Sequence, residues 1–334
     1  MRLLALSAAT PDPDVLAEAA HVLRAGGLVA FPTETVYGLG AHALDAAAVQ
    51  RIFAAKGRPS FNPLIAHVPD VDGARALVRE WPEAADRLAR AFWPGPLTLV
   101  LPKRAHVPDV LTAGLPAVAV RVPSHPVALA LLRAVGLPVA APSANRFTEL
   151  SPTTAQHVAK ALGDRVDLIL DGGPTSVGIE STVVDLTGPR PVLLRPGIVS
   201  ATALAEVLGT TPERPAAPLA GDAPRPAPGM VERHYAPRAT VWLFDPHERP
   251  AVAARLAREA ADARVGALLL APWDAAPAPA LPVPMPDDPA AYARRLYAAL
   301  HELDDAGCTI ALVERPPDTP AWHGVRDRLT RAAH

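Results

Sequence analysis

The chain is poor in cysteine, lysine and aromatic residues, and each shortage closes off a class of protein. Cys308 stands alone in 334 residues, so no internal disulfide can form, and its apolar run 308–313 reads as a buried strand. A reducing, cytoplasmic setting is the expectation. Residues 1–7 carry one positive charge and too short an apolar stretch for a secretion signal, and no run approaches the roughly 18 apolar residues of a membrane span. Neither secretion nor a membrane partner is expected. Lysine occurs only at Lys56, Lys103 and Lys160 while arginine, alanine and proline abound, a bias that GC-rich coding produces without functional pressure. Aromatic residues make up 4% of the chain, the formal charge is -2, and aromatic-interleaved basic stretches are missing. No stable nucleic-acid complex is expected, since any such contact would need a local patch.

Familiar nucleotide, metal and hydrolase signatures are missing as well. There is no G-x-x-x-x-G-K-[ST] loop, and the run from Gly38 to Ala43 fails the dinucleotide fingerprint at its third glycine. His301-Glu302 lacks the second histidine of a zinc-protease helix, no Cys/His cluster offers structural zinc, and Gly-x-Ser-x-Gly is absent. No protein metal site is expected.

What is present supports a sizeable globular body: 50% of the residues are hydrophobic and 20% charged, enough apolar surface to offset the entropy of ordering the chain. A single core rarely grows past about 250–300 residues, so two are expected. Apolar spacing predicts helices over 14–24, 45–55, 82–92, 126–135, 153–162 and 201–208. Strands are predicted over 28–31, 64–68, 97–101, 117–122, 138–141, 166–170, 182–186 and 192–194. Their irregular alternation reads as an α/β fold, a twisted mixed sheet with flanking helices, over 10–208. The stretch 209–238 is rich in proline and alanine without hydrophobic period, a semi-rigid linker. Residues 239–334 then read as a smaller Rossmann-like α/β domain, with strands 240–244, 265–271 and 308–313 and helices 249–262, 288–305 and 321–332.

Polar residues of the first domain gather at strand ends and loops, where a sheet normally positions ligand contacts. Thr33-Glu34-Thr35 follows a strand and leads into Tyr37-Gly38-Leu39-Gly40; it reads either as a turn that binds an anion or as a plain capped turn. Lys56 and Arg58 close a helix, with Asn62 and His67 beyond. Singly, such cations are ordinary partners of a helix dipole. Arg121 and Arg195 also end buried runs, and together these cations read as an anion site of the kind a triphosphate needs. Ser143 and Asn145 follow a strand, while Ser151 is a helix cap or a ligand contact, because both roles use the same exposed N–H groups. The glycine-rich run from Asp171 to Thr182 is an anion nest or a β-turn.

Taken in order, Pro32-Thr-Glu-Thr-Val-Tyr-Gly-Leu39, Lys56-Gly-Arg58-Pro with Asn62-Pro-Leu, Phe92-Trp-Pro-Gly-Pro-Leu-Thr98, Pro142-Ser-Ala-Asn145, Gly178-Ile-Glu-Ser-Thr182 and Arg195-Pro-Gly resemble the YrdC-like family of threonylcarbamoyl-adenylate synthases. The likeness covers about 10–205, and Ala227-Pro-Gly-Met230 to Arg233-His-Tyr-Ala-Pro237 followed by a small α/β domain resembles the long, two-domain form. The resemblance implies that threonine and bicarbonate condense to a carbamate, whose oxygen attacks the α-phosphorus of ATP and expels pyrophosphate, with Mg²⁺ accompanying the nucleotide. The adenylate would serve threonylcarbamoylation of the tRNA adenosine beside the anticodon, carried out by downstream transfer proteins. It further implies threonine contacts at Thr35, His67, Arg121 and Ser181. Nucleotide contacts are implied at Arg58, Asn62, Ser143, Ser151 and Arg195, with backbone contacts at Ala117 and Ala141. Lys56 and Asn145 complete the signatures, Lys56 and Arg58 being the implied catalytic pair, and Tyr235 resembles the family residue that covers the nucleotide, which makes the linker a lid. The alternative, from another class, is a double-stranded RNA or nucleotide-binding module without adenylate-forming activity, using the same basic concavity.

Overall fold

The computed structural model describes residues 1–215, 223–230, 234–259, 262–273 and 280–333. Parts of the expected linker (216–222 and 231–233, including Arg233 of the quoted motif) and the end of the expected helix 249–262 (260–261) lie outside the described residues. The strands are β1 Arg2–Ala5, β2 Val29–Pro32, β3 Tyr37–His42, β4 Ile65–His67, β5 Leu97–Pro102, β6 Ala117–Arg121, β7 Val139–Ala140, β8 Leu168–Asp171, β9 Thr182–Asp185, β10 Val192–Arg195, β11 Thr240–Phe244, β12 Val265–Leu269, β13 Ala280–Pro284 and β14 Ile310–Glu314. The helices are α1 Pro13–Arg24, α2 Ala46–Lys56, α3 Val71–Leu77, α4 Glu83–Phe92, α5 Asp109–Thr112, α6 Pro126–Val135, α7 Ala155–Leu162, α8 Ala201–Leu208, α9 Arg249–Glu259, α10 Pro289–Asp305 and α11 His323–Ala332. No helix among the described residues is long and apolar enough to cross a membrane.

Strands β1 to β10 form one mixed sheet in the order β1-β8-β2-β3-β7-β4-β6-β5-β9-β10, and the remaining strands form a parallel sheet ordered β11-β14-β12-β13. A large mixed sheet with helices, joined to a small open parallel one, is the expected fold class. Local chemistry sets the helix ends. Asp12 accepts from the N–H groups of Asp14 and Val15 at the start of α1, whose buried Leu16, Ala19, Ala20 and Leu23 face the core. Asp45 caps α2 in the same way, and Gly57, at φ +62°, ends it in the left-handed conformation, so Lys56 and Arg58 leave the helix on a sharp turn.

Alternation along the central strands separates the sheet's two faces. Leu97, Leu99, Leu101, Val118, Val120 and Val184 point into the main core under the helices. Ile65, Val100, Ala119, Val183 and Leu194 point the other way, into a small cluster with Ala227 and Met230 of the linker. In the same alternating register His67 follows Ile65, Arg121 follows Ala119 and Thr98 precedes Val100, so these polar residues share the linker-covered face.

Several elements escape a reading by pattern. The 33–40 run is a turn followed by strand β3, paired antiparallel with β2, and Gly40 sits there because a Cβ would lie 2.8 Å from the Phe31 ring and 3.0 Å from the Val29 carbonyl oxygen. Strand β13 contains prolines, which an edge strand tolerates. Strand β1 and the short helices α3 and α5 also arise without strong sequence signals.

The two sheets are joined by direct backbone packing. Gly178, at φ +85°, meets α10 so closely that a Cβ would lie 2.5 Å from the Ala293 carbonyl oxygen and from the Arg294 Cα. Gly178→Ala therefore combines left-handed strain with overpacking, and a loss of about 2–4 kcal/mol in unfolding free energy is expected. Urea titration measures it; an unchanged midpoint would show that α10 yields freely.

Candidate active site

On the linker-covered face lies a small cavity of about 40 Å³ whose walls include Thr35, Arg58, His67, Arg121, Ala141, Ser143, Ser181, Arg195 and Tyr235. These nine are sequence-predicted site residues, drawn from strand ends and the loops beside them, from the turn after α2 and from the linker. Lys56, Asn62, Asn145 and Ser151 stand directly behind the wall. The Lys56 Nζ donates to the Ser143 carbonyl at 2.6 Å and also to that of Asn145. Arg58 donates through Nε to the Asn62 carbonyl at 3.0 Å, and Ser151 Oγ donates to Glu180 Oε1. Ala117 is placed apart, at the opposite end of β6 from Arg121, in a separate depression beside Leu64, Pro116 and Asp185.

The cations divide into two kinds. Arg121 is in a buried ion pair, Nη2 to Glu34 Oε1 at 2.6 Å, while its Nη1 donates to Thr35 Oγ1 at 3.0 Å. Glu34 Oε2 in turn accepts from the Ser124 N–H at 3.1 Å, so the guanidinium plane is fixed from behind. Lys56, Arg58 and Arg195 are also buried, yet no carboxylate forms an ion pair with any of them among the described residues. Their donors go to carbonyl and hydroxyl oxygens: Arg58 Nη2 to Pro63 O at 2.9 Å, Arg195 Nε to Ser181 O at 3.0 Å, Nη1 to Pro228 O at 3.0 Å and Nη2 to Ser181 Oγ at 3.1 Å. Burial, with Arg58 beside it, pushes the Lys56 amine well below its ordinary value, and burial lowers Arg58 to about 9. Burial thus works against the charged forms here, and no carboxylate is in direct contact to support them.

Six buried side-chain atoms with no hydrogen-bond partner among the described residues gather at the same place, both side-chain atoms of Asn62, His67 Nδ1, Asn145 Oδ1, His234 Nδ1 and the Tyr235 hydroxyl, while others, at Thr175, Arg249 and Tyr292, lie away from it. Such atoms are rare in a folded interior and mark groups made for something outside the chain. Tyr235 is held at φ +61° and closes the cavity with His234; its hydroxyl comes so near Gly229 that a Cβ there would lie 2.2 Å away.

Sequence reasoning missed Glu34, Glu180 and His234 as wall or support residues. Glu34 and Glu180 lie inside the quoted motifs, and a carboxylate in a run otherwise made of hydroxyls and glycines beside buried arginines is the signal that identifies them. A larger cavity of about 630 Å³ lies beyond the linker between the β10–α8 loop and α11, but no sequence-predicted site residue lines it. The unpaired cations and orphaned polar atoms make the smaller cavity the candidate for chemistry.

Comparison with known proteins agrees with the geometry. A family model described as telomere recombination matches residues 21–197, and one described as the threonylcarbamoyl-AMP synthase C-terminal domain matches residues 199–334. Threonylcarbamoyl-AMP synthase of Pyrococcus abyssi is 44% identical over 319 residues, covering 94% of this chain and 93% of that protein. The Bacillus subtilis enzyme of the same name is 49% identical over 241 residues, 71% of this chain and 68% of that one. A crystal structure of P. abyssi Sua5 complexed with L-threonine superimposes with a TM-score of 0.92 at 41% identity, covering all 100% of this chain and 98% of that one.

Several buried histidines give the fold a pH signature. Burial, with Arg121 alongside, lowers His67 to about 3, burial followed by His157 lowers His301 to about 3, and burial, with Arg58 and Lys56 nearby, lowers His234 strongly. Above the ordinary imidazole value of 6.5 both folded and unfolded chains are neutral at these sites. Below it the unfolded chain takes up protons that the folded chain refuses, so stability falls as pH falls, by up to about 1.4 kcal/mol per pH unit for each such histidine. The urea midpoint should therefore drop between pH 7 and 5.5, before carboxylates titrate, and His67→Gln should flatten the slope. A midpoint independent of pH over that range would contradict neutral burial.

Proposed function

The chain belongs to the threonylcarbamoyl-AMP synthase family in its two-domain form, an adenylate-forming, nucleotidyltransferase-type enzyme of tRNA modification, and on that footing we propose how its cavity carries out the reaction. L-Threonine and bicarbonate condense to a carbamate, and a carbamate oxygen attacks the α-phosphorus of ATP and releases pyrophosphate. The observation that carries the assignment of the nucleotide side is that Lys56, Arg58 and Arg195 are buried and, among the described residues, in direct contact with no carboxylate. A cation whose direct partners are neutral carbonyl and hydroxyl oxygens gains most from a polyanion, and a polyanion is what ATP brings. Arg58, Asn62, Ser143, Asn145, Ser151 and Arg195 are assigned to the nucleotide, with Arg58 facing the charge that develops as pyrophosphate leaves and Lys56, its catalytic partner, holding the 143–145 loop from behind. Of the backbone contacts, Ala141 adjoins this wall, whereas the position of Ala117 favours no contact with the reacting atoms.

Threonine is assigned to Thr35, His67, Arg121 and Ser181. The Arg121 fork, oriented by Glu34, would pair the amino-acid carboxylate, and neutral His67 can hydrogen-bond without adding charge. No covalent nucleophile is needed; alignment and electrostatics supply the acceleration.

Mg²⁺ is assigned to the nucleotide as part of the substrate. The carboxylates nearest the cavity are already engaged, Glu34 by Arg121 and Glu180 by Arg328, and no group of metal-binding residues occurs among the described residues. The ion's ligands would therefore be phosphate and water oxygens, which suits Mg²⁺, and it would neutralise charge on the leaving group.

A cavity of about 40 Å³ holds little more than a water molecule, whereas ligand pockets run to about 300–1,000 Å³. Admission of ATP thus requires the linker residues Pro228, Gly229, His234 and Tyr235 to move, which supports the reading of a catalytic unit over 10–208, a lid over 209–238 and a C-terminal unit over 239–334. Closure would shield bicarbonate and carbamate from water. Burial of the cations weighs against the RNA-binding alternative, because duplex phosphates cannot reach them. Downstream transfer proteins would receive the adenylate.

Threonylcarbamoyl-AMP, followed by chromatography with labelled threonine, should form only when threonine, bicarbonate and ATP are all present. Lys56→Ala and Arg58→Ala should each lower its rate by roughly 10²–10³ with the fold intact. Wild-type rates in either variant would remove that residue from the nucleotide side. Arg121→Lys keeps the charge but loses the fork, and should raise the threonine KM about tenfold or more while leaving the ATP KM nearly unchanged.

A further inference from the structure

The loop 178–182 that delivers Ser181 to the cavity is clamped by both helices flanking it from the C-terminal unit. Helix α10 packs on Gly178 as described. Helix α11 approaches through Gly324, where a Cβ would lie 2.6 Å from the Gly197 carbonyl oxygen; Gly197 itself leaves no room for a Cβ against the Thr182 amide, 2.5 Å away, and the Glu180 carbonyl oxygen, 2.9 Å away. Backbone thus stacks on backbone from α11 through the end of β10 to the loop.

From that platform Arg328, one helical turn beyond Gly324, reaches inward with its side chain fully buried. Its Nε donates to Glu180 Oε2 at 2.7 Å, its Nη2 to the Glu180 carbonyl at 3.1 Å and its Nη1 to the Pro196 carbonyl at 2.8 Å. The Tyr297 hydroxyl of α10 donates to Glu180 Oε2 at 3.1 Å, and Ser151 Oγ binds Oε1. Burial opposes the charge on Glu180, but Arg328 and Arg195 outweigh it and hold the carboxyl below its usual range. Glu180 is therefore a fixed anion held largely from the C-terminal unit.

The neighbouring residue is Ser181, whose hydroxyl contacts Thr98 Oγ1 at 2.8 Å and accepts from Arg195 at 3.1 Å. The Arg195 fork is aimed by the same peptide, through the Ser181 carbonyl. The Arg328 guanidinium also lies 5.2 Å from the centre of the Tyr235 ring, on the lid.

We infer that Arg328 and Tyr297 are positioning residues of the adenylate-forming site, which set Ser181 and Arg195 through Glu180 and seat Tyr235 when the lid is closed. The inference rests on the proposal that Ser181 and Arg195 meet substrate. Interdomain adhesion alone would make these residues matter for stability and not for turnover.

Arg328→Lys keeps the charge but cannot serve Glu180 and Pro196 together, and Tyr297→Phe removes one donor while keeping the ring. Lys160→Ala is the control, since it cuts the exposed ion pair between Lys160 and Asp305, which joins the same two units away from Glu180. Threonylcarbamoyl-AMP formation is measured with full-length proteins, at a temperature where circular dichroism shows each folded. The kcat/KM for threonine should fall by about tenfold or more in Arg328→Lys, by less in Tyr297→Phe, and stay at the wild-type value in Lys160→Ala. In a Glu180→Gln background, Arg328→Lys should add little further loss, as expected when both act through one carboxylate. Wild-type kinetics in folded Tyr297→Phe, or in folded Arg328→Lys, overturns the inference. Should Arg328→Lys not fold, Tyr297→Phe decides alone. A wild-type protein that forms no adenylate overturns the functional reading instead.

Discussion

Lys56, Arg58, Arg121 and Arg195 are buried against one face of a sheet, and withdrawing such charges from water is costly unless something replaces the water. The chain supplies the replacement unevenly. Arg121 has a carboxylate in direct contact, Glu34, whereas the other three donate to carbonyl and hydroxyl oxygens, which solvate a cation without neutralising it. That difference separates a side whose arginine is paired directly from a side whose basic groups are held by neutral oxygens. It also explains why the cations sit where elements end, Arg121 and Arg195 at strand ends and Lys56 and Arg58 at the end of α2: there backbone carbonyls are free to accept from buried side chains.

The sheet meets this constraint through its alternation. One set of strand positions is largely leucine and valine and packs under helices; the other mixes Ile65, Val100, Ala119, Val183 and Leu194 with Thr98, His67 and Arg121 and is covered by a linker lying across it. The C-terminal unit contributes from outside, where close glycine contacts allow two helices to touch the loop that precedes β9. Arg328 can then share its charge between Glu180 and the Tyr235 ring, so the second sheet is tied into the electrostatics of the first.

Much of this was legible in the residues. Motif order identified the segments that meet at the cavity, and Thr35, Arg58, His67, Arg121, Ser143, Ser181, Arg195 and Tyr235 all line it. Hydrophobic period found the long helices and the apolar strands. It failed at β3, where glycines that make room for Phe31 look like turn residues, and at β13, where edge prolines mimic a loop. The supporting carboxylates and the role of α11 were not legible, because Glu180, Tyr297 and Arg328 are far apart in the chain and meet only through packing of two units. Residues near in sequence disclose local capping; partners that are 148 positions apart do not.

The buried imidazoles carry a consequence for the molecule as a whole. His67, His125, His157, His234 and His301 all resist protonation relative to a free imidazole, chiefly through burial. The composition alone gives an isoelectric point of 6.6 by letting every histidine titrate freely. In the folded state those sites withhold positive charge near that pH, so native protein focuses at a more acidic position than its denatured form, and the gap between the two bands reflects the protons that folding excludes.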